Sequence, residues 1–143
     1  MRKSKAEIYF HLVWKTWERW PLVTPEIERE VYRCIVQEAE RLNCTVLAIG
    51  GMPDHVHLAV RVPTKVSAAM IAQQVKGVSS TFVRDQLLPG ELFRWQHGYG
   101  VFSFHRRDTA TVVGYITNQK LHHAQGKTWD QWEESDESSE EEP

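Results

Sequence analysis

The sequence predicts an α+β protein of the ferredoxin-like class, in which a split β-α-β antiparallel sheet carries helices on one face. Two observations support this class. Predicted segments follow the order strand, helix, strand, strand, helix, strand, helix, and the first six match the ferredoxin-like unit. The helical segments also show apolar residues at helical spacing, whereas the strand segments are short and rich in β-branched and aromatic residues. The last segment is an additional C-terminal helix.

The first half of the chain supplies two strands and the helix between them. Residues 7–14 (EIYFHLVW) predict the first strand, because β-branched and aromatic side chains dominate this segment. Thr24 provides an N-cap and Pro25 suits a first helical turn, so a helix is predicted over residues 25–42. Residues 45–49 predict a second strand, which we expect to end at the pair of glycines that follows.

The second half of the chain continues this alternation. Residues 55–62 predict a third strand, antiparallel to the second across a tight turn. A long helix is predicted over residues 67–88, a last strand over residues 99–105, and a final helix over residues 109–124.

Charge is distributed unevenly along the chain. All 17 Lys and Arg residues precede residue 133, together with 12 of the 19 Asp and Glu residues, so this part has a formal charge of +5. That charge is compatible with a phosphate-bearing partner. The other seven acidic residues lie in residues 133–143 and predict a disordered acidic tail. We therefore predict one domain over residues 1–132, followed by the tail.

The sequence also predicts a cytoplasmic protein without a membrane partner. No apolar stretch is long enough for a signal peptide or for a membrane span. Cys34 and Cys44 have no metal-ligand spacing, and we expect both thiols to stay reduced.

Two histidines in the third predicted strand are candidate metal ligands. His55 and His57 are two positions apart, so both imidazoles point from one face of the sheet while Val56 points to the other. Such a pair can bind a divalent metal, although histidines that bond only to solvent or to neighbouring residues are the common alternative. His11, in the first strand, is expected to be packed or solvent-facing rather than a ligand.

A tyrosine and a glutamine share one face of the final predicted helix. Tyr115 and Gln119 are four residues apart. A phenol with a pKa of about 10 is a poor nucleophile at neutral pH, but a metal that polarises the attacked phosphate makes it useful. Gln119 can offer a carbonyl oxygen to that metal, and His123 can supplement or replace it, whereas His122 is expected at the surface. An ordinary amphipathic helix with a surface Tyr and Gln is the alternative.

These residues resemble the HUH single-tyrosine transposases of the insertion-sequence 200/605 type and their relatives associated with repetitive extragenic palindromes. The resemblance covers about residues 8–123. It rests on the strand at 9–14, GMPDHVHL at 51–58, KGVSS at 76–80, Trp95 with Gly98-Tyr99, and YITNQ at 115–119.

The resemblance implies an activity and its cofactor. His55, His57 and Gln119 would bind Mg²⁺ or Mn²⁺, and Tyr115 would attack a phosphodiester in single-stranded DNA that carries a hairpin. The products would be a 5′-phosphotyrosine link and a free 3′-OH, which later reverses the reaction at a new junction. The resemblance also implies a homodimer with trans active sites, in which the tyrosine helix of one subunit completes the histidine pair of the other.

Two alternatives to a transposase remain open at this point. A domesticated endonuclease that processes palindromes would use the same chemistry, whereas a non-catalytic nucleic-acid-binding module on the same fold would form no covalent adduct. In each case, we expect basic and hydroxyl side chains to contact DNA phosphates. The candidates are Lys76, Ser79, Ser80, Arg106 and Arg107, each of which is otherwise a solvated or packing residue.

Overall fold

A four-stranded antiparallel sheet with the strand order β2-β3-β1-β4 forms the centre of the computed structural model, which describes residues 5–126 and Glu133. The strands are β1 (Ile8–Lys15), β2 (Thr45–Met52), β3 (His55–Val62) and β4 (Gly100–Phe104). The helices are α1 (Pro25–Arg41), α2 (Ala68–Phe82), α3 (Thr109–Thr117) and α4 (Gln119–Ala124). This arrangement confirms the predicted ferredoxin-like class with an additional C-terminal helical segment. In the described part of the chain, no helix is both long and apolar enough to cross a membrane.

The main hydrophobic core lies between one face of the sheet and the helices α1 and α2. Leu12 and Trp14 of β1 and Leu58 of β3 point into it and are fully buried. The ring of Trp14 meets that of Trp95 edge to face, with centroids 5.9 Å apart. Burial of these large apolar side chains is the main stabilising contribution on this face.

The opposite face of the sheet is covered by α3. Because alternate strand residues point to opposite faces, His11 and His57 lie on this side of β1 and β3. A second, smaller core cluster lies here; its buried members are Ala59, Val112, Tyr115 and Ile116. The central strand β3 is therefore covered on both faces and is buried at every position except Arg61.

A close approach between β2 and α3 holds the C-terminal helix on the sheet. The second strand continues to Met52, so the prediction that it ends before the two glycines is wrong. Gly50 lies opposite His57 in the ladder. A Cβ atom at Gly50 would collide with the backbone carbonyl oxygen of Ile116. The missing side chain at Gly50 thus lets the backbone of α3 lie directly against β2.

Two predicted helices differ from the structure, one within its length and one at its C-terminal end. The final helix, predicted as one segment over residues 109–124, is divided at Asn118, whose φ and ψ are −103° and 29°. The Asn118 side-chain amide donates to the carbonyl of Gly114 at 3.0 Å, a local bond that competes with helix continuation. The long second helix ends at Phe82 and continues as a π-helical turn at Val83–Leu87.

We expect Gly50→Ala to lower the free energy of unfolding by about 1–3 kcal/mol, the usual cost of overpacking. The added Cβ meets backbone, which can move only if α3 shifts. Gly77→Ala in α2 is the matched control, because no atom lies within 4 Å of its Cβ position. Alanine there should raise the free energy of unfolding by about 0.5–1 kcal/mol. Urea denaturation measures both, and equal stability of Gly50→Ala and the wild type would contradict the close approach.

Candidate functional site

His55 and His57 form the centre of the site, at the start of β3. Both side chains are buried, and their ring centroids are 5.1 Å apart. They share the face of the sheet that α3 covers, while Val56 packs in the main core on the other face. The alternation expected from the sequence is therefore observed, and burial rules out solvent as the main partner of these imidazoles.

Asp54 orients the imidazole of His55. Its Oδ1 accepts a hydrogen bond from Nδ1 of His55 at 2.7 Å, and its Oδ2 lies 3.1 Å from a guanidinium nitrogen of Arg19. Burial by itself would lower the pKa of His55, but the Asp54 and Glu133 carboxylates raise it to about 9. Because Nδ1 is held by Asp54, Nε2 of His55 is the atom that faces the site, as in carboxylate–histidine–metal triads.

His11 orients the imidazole of His57. Nε2 of His11 lies 2.8 Å from Nδ1 of His57, and both residues are buried. Burial, together with the nearby His57, lowers the pKa of His11 to about 3, so its imidazole is neutral. In the tautomer in which Nδ1 of His57 donates to His11, the Nε2 lone pair of His57 faces the site. His11 is thus packed, and it also positions a candidate ligand.

Gln119 reaches the histidine pair from α4. Its Oε1 lies 3.2 Å from Nε2 of His55 and 3.0 Å from Nε2 of His123. Its Nε2 donates to the backbone carbonyl of Tyr115 at 3.2 Å, which directs the carbonyl oxygen of the amide toward the histidines. Tyr115 and Gln119 are therefore close together, although the helix is interrupted between them. His123 lies close enough to Gln119 to serve as a further candidate ligand.

The hydroxyl-bearing ring of Tyr115 lies against the same histidine pair. The rings of Tyr115 and His57 are nearly perpendicular, with centroids 5.7 Å apart. On its other side, Tyr115 stacks on His122 with centroids 5.2 Å apart, so His122 is part of the site's surroundings rather than an isolated surface residue. A single chain thus brings its own tyrosine to its own histidines.

Glu133 is the site residue that sequence reasoning missed. Its Oε1 lies 3.1 Å from Nε2 of His55 and 3.2 Å from Nε2 of His57, and its Oε2 accepts a hydrogen bond from the hydroxyl of Tyr115. Burial would raise the pKa of this carboxyl, but the bonds to His55 and His57 hold it well below its usual range. Nothing in the sequence distinguishes Glu133 from the other acids of the predicted tail, whose residues 134–143 lie outside the described part of the chain.

The donor atoms of this cluster fit a divalent metal. Nε2 of His55, Nε2 of His57 and a carboxylate oxygen of Glu133 all lie within 4.8 Å of one another. Imidazole nitrogens and carboxylate or amide oxygens are ligands for divalent first-row metals, and the outer nitrogens of both histidines are already hydrogen-bonded, as they usually are in metal sites. The arrangement can therefore hold a cation beside the hydroxyl of Tyr115.

Lys76 and Ser79, two of the predicted phosphate-binding residues, make internal hydrogen bonds. Nζ of Lys76 donates to the carbonyls of Gln96 and Gly98 at 2.8 and 2.9 Å. Ser79 is fully buried and accepts a hydrogen bond from Nε1 of Trp95 at 2.9 Å. Both residues hold the segment before β4 against α2, and their contact with DNA remains a prediction.

Of the other predicted phosphate-binding residues, Arg106 and Arg107 are exposed and Ser80 is half-buried. Lys76 and Ser80 line a cavity of about 450 Å³ between α2 and the segment before β4, which Arg94 also lines. Arg106 pairs with Glu7 at 3.3 Å and is exposed, as is Arg107 beside it. These cationic groups lie on the surface rather than within the histidine cluster.

Known proteins similar to this chain include one family and several solved structures. The family described as "Transposase IS200 like" matches residues 4–119. A protein from Deinococcus radiodurans R1 described as a transposase is 23% identical, with a TM-score of 0.63 over 83% of this chain and 98% of its own. A REP-associated tyrosine transposase bound to a REP hairpin is 14% identical, with a TM-score of 0.61 over 90% and 74% of the two chains. At these identities, the two structures show a shared fold. No curated protein matches this chain.

We expect Asp54→Asn to weaken Mn²⁺ binding by roughly tenfold or more, as is typical when a residue that orients a metal ligand loses its charge. Asparagine can still accept the His55 hydrogen bond, so the change tests the carboxylate charge rather than the bond. Asp85→Asn, at an exposed carboxylate in the π-helical turn, is the matched control. Calorimetric titration gives both affinities, and an unaltered value for Asp54→Asn would show that Asp54 does not support a metal ligand.

Proposed function

The chain belongs to the IS200-like transposase family, and we propose that it cleaves and rejoins single-stranded DNA through a covalent link to Tyr115. The observation that carries this proposal is the contact between Tyr115 and His57, whose ring centroids are 5.7 Å apart beside the donor cluster. The similar structure that is bound to a REP hairpin supports hairpin-bearing DNA as the substrate.

We propose that His55, His57 and Gln119 hold Mg²⁺ or Mn²⁺ during this reaction. When bound, the metal would stabilise negative charge that develops on the attacked phosphate. Two imidazoles also suit Zn²⁺ and Ni²⁺, so the identity of the metal in the cell depends on availability as well as on affinity.

In the proposed reaction, Oη of Tyr115 attacks the phosphorus, and the bond from phosphorus to the 3′ oxygen breaks. The departing 3′ oxygen takes up a proton and becomes a free 3′-OH, while the 5′ phosphate stays linked to Tyr115. The hydroxyl of Tyr115 donates to Glu133, so this carboxylate is positioned to accept the phenolic proton. Attack by a 3′-OH on the linked phosphate reverses these steps, and no nucleotide cofactor is needed because the link retains the bond energy.

DNA would enter from the surface that carries the accessible cations. We propose that Arg106 and Arg107, which precede the tyrosine helix, contact backbone phosphates. Lys76 and Ser80 would contact DNA at their cavity, where the ammonium of Lys76 already has two carbonyl partners. Ser79 would do so only after leaving its buried bond to Trp95, which makes it the weakest of these candidates.

We expect Tyr115→Phe to abolish covalent adduct formation and to leave DNA binding nearly unchanged. The change removes the attacking oxygen but little contact area. Incubation with hairpin-bearing single-stranded DNA and Mn²⁺, followed by a denaturing gel, detects the adduct. Tyr32→Phe is the matched control, because the ring of Tyr32 packs against the main core rather than against the histidines. A normal adduct yield from Tyr115→Phe would refute the assignment of the nucleophile.

A subunit-mixing experiment tests how the site is assembled. The resemblance implies a homodimer with trans sites, whereas the packing of Tyr115 beside His57 in one chain supports cis sites. In heterodimers of Tyr115→Phe and His57→Ala subunits, trans sites would create a centre with both wild-type groups. The contacts within this chain lead us to expect no adduct from such heterodimers, obtained by co-expression and verified by mass. Recovered activity would instead establish the trans arrangement.

A further inference from the structure

Glu133 approaches the histidine pair with a geometry that differs from a surface salt bridge. Its Oε1 lies 3.1 and 3.2 Å from the two inward-facing nitrogens of His55 and His57, and 3.7 Å from Nε2 of His123. The carboxylate is only 19% exposed. One oxygen therefore faces three imidazoles at once, which is the convergence that a metal ligand requires.

The charge of the site points to the same role. His55, His57 and Gln119 are neutral when they act as ligands, because imidazole and amide bind metals through lone pairs. A doubly charged cation held by these three residues alone would keep its full charge in a buried site, which is unfavourable without an anion. Glu133 supplies a negative charge and a hard oxygen, the donor type that Mg²⁺ and Mn²⁺ favour.

The two oxygens of Glu133 have different partners. While Oε1 faces the imidazoles, Oε2 accepts the hydrogen bond from the hydroxyl of Tyr115. A carboxylate that bound the metal through Oε1 would therefore hold the nucleophile beside it through Oε2. The alternative is that Glu133 only occupies the position of a DNA phosphate. In that case the carboxylate would compete with the substrate for this position.

We propose that Glu133 is a protein ligand of the metal, in addition to His55, His57 and Gln119. This inference rests on the proposed function and adds an anionic ligand from beyond the final helix. It follows that the chain binds its metal before DNA arrives, because the required negative charge is already present in the protein.

Calorimetric titration with Mn²⁺ in the absence of DNA tests this ligand without relying on activity. Glu133→Gln keeps the size of the side chain and removes the anionic oxygen. We expect its Mn²⁺ affinity to fall by roughly tenfold or more. Loss of a residue that only orients a metal ligand already has an effect of this size, and loss of a ligand should have at least as large an effect. Glu137→Gln is the matched control, since it makes the same change in net charge within the same acidic run and should bind Mn²⁺ like the wild type.

The adduct assay separates failure of this inference from failure of the proposed function. If the wild type binds Mn²⁺ and forms the Tyr115 adduct while Glu133→Gln binds Mn²⁺ equally well, the ligand role is overturned and the proposed function stands. Higher adduct yield with unaltered Mn²⁺ affinity in Glu133→Gln would also overturn it, and would show that the carboxylate competes with phosphate. If the wild type binds Mn²⁺ no better than His57→Ala, the ligand role is overturned. If it also forms no Tyr115 adduct with DNA and Mn²⁺, the proposed function fails as well. Thermal unfolding of each variant checks that the fold is intact.

Discussion

The contact on which the site depends is the close packing of α3 against β2 at Gly50. The carbonyl of Ile116 occupies the space that any larger residue at Gly50 would need. Because Tyr115 precedes Ile116, this backbone contact sets how deeply the tyrosine lies over the sheet. Gly50 also pairs with His57 across the ladder, so one stretch of sheet positions both the proposed nucleophile and a candidate ligand. Val112 is buried in the same small core cluster as Tyr115 and Ile116.

The second requirement is that both imidazoles present the correct nitrogen. Either ring nitrogen of a histidine can bind a metal, and a rotated ring would point the other nitrogen into the site. Asp54 holds one ring and His11 holds the other, each through Nδ1. One partner is a carboxylate and the other is a neutral, buried imidazole, so the two rings are electronically different. His55 is the more basic of the pair, whereas burial lowers the pKa of His57.

The third requirement is charge balance in a buried, polar cluster. Buried imidazoles and carboxylates are costly to desolvate unless opposite charges and hydrogen bonds compensate them. In this chain Asp54 and Glu133 flank His55 from opposite ends of the ring. A proton on Nε2 of His55, or a metal cation in its place, satisfies the oxygens of Glu133 and Gln119 that converge there. The positive charge that balances this cluster is either a proton on His55 or, as proposed above, a metal cation.

Local sequence patterns determined much of this protein. The alternation in β3 was sufficient to place His55 and His57 on one face, and Pro25 marked the first turn of α1, because these features depend on neighbouring residues. The side chain of Thr24, predicted as the N-cap, makes no capping hydrogen bond. The four-residue spacing likewise placed Gln119 near Tyr115, even though Asn118 interrupts the helix between them.

Only the tertiary structure decided the remaining parts of the site. The pairing of His11 with His57 depends on the β1–β3 register, which joins residues 46 positions apart. The role of Gly50 depends on its contact with Ile116, 66 positions further along the chain, so the sequence showed merely a glycine pair that resembled a turn. Glu133 lies 76 positions beyond His57, and several of the residues that follow it are also acidic. Long-range contacts of this kind leave no local periodicity, because they are set by how complete elements pack against each other.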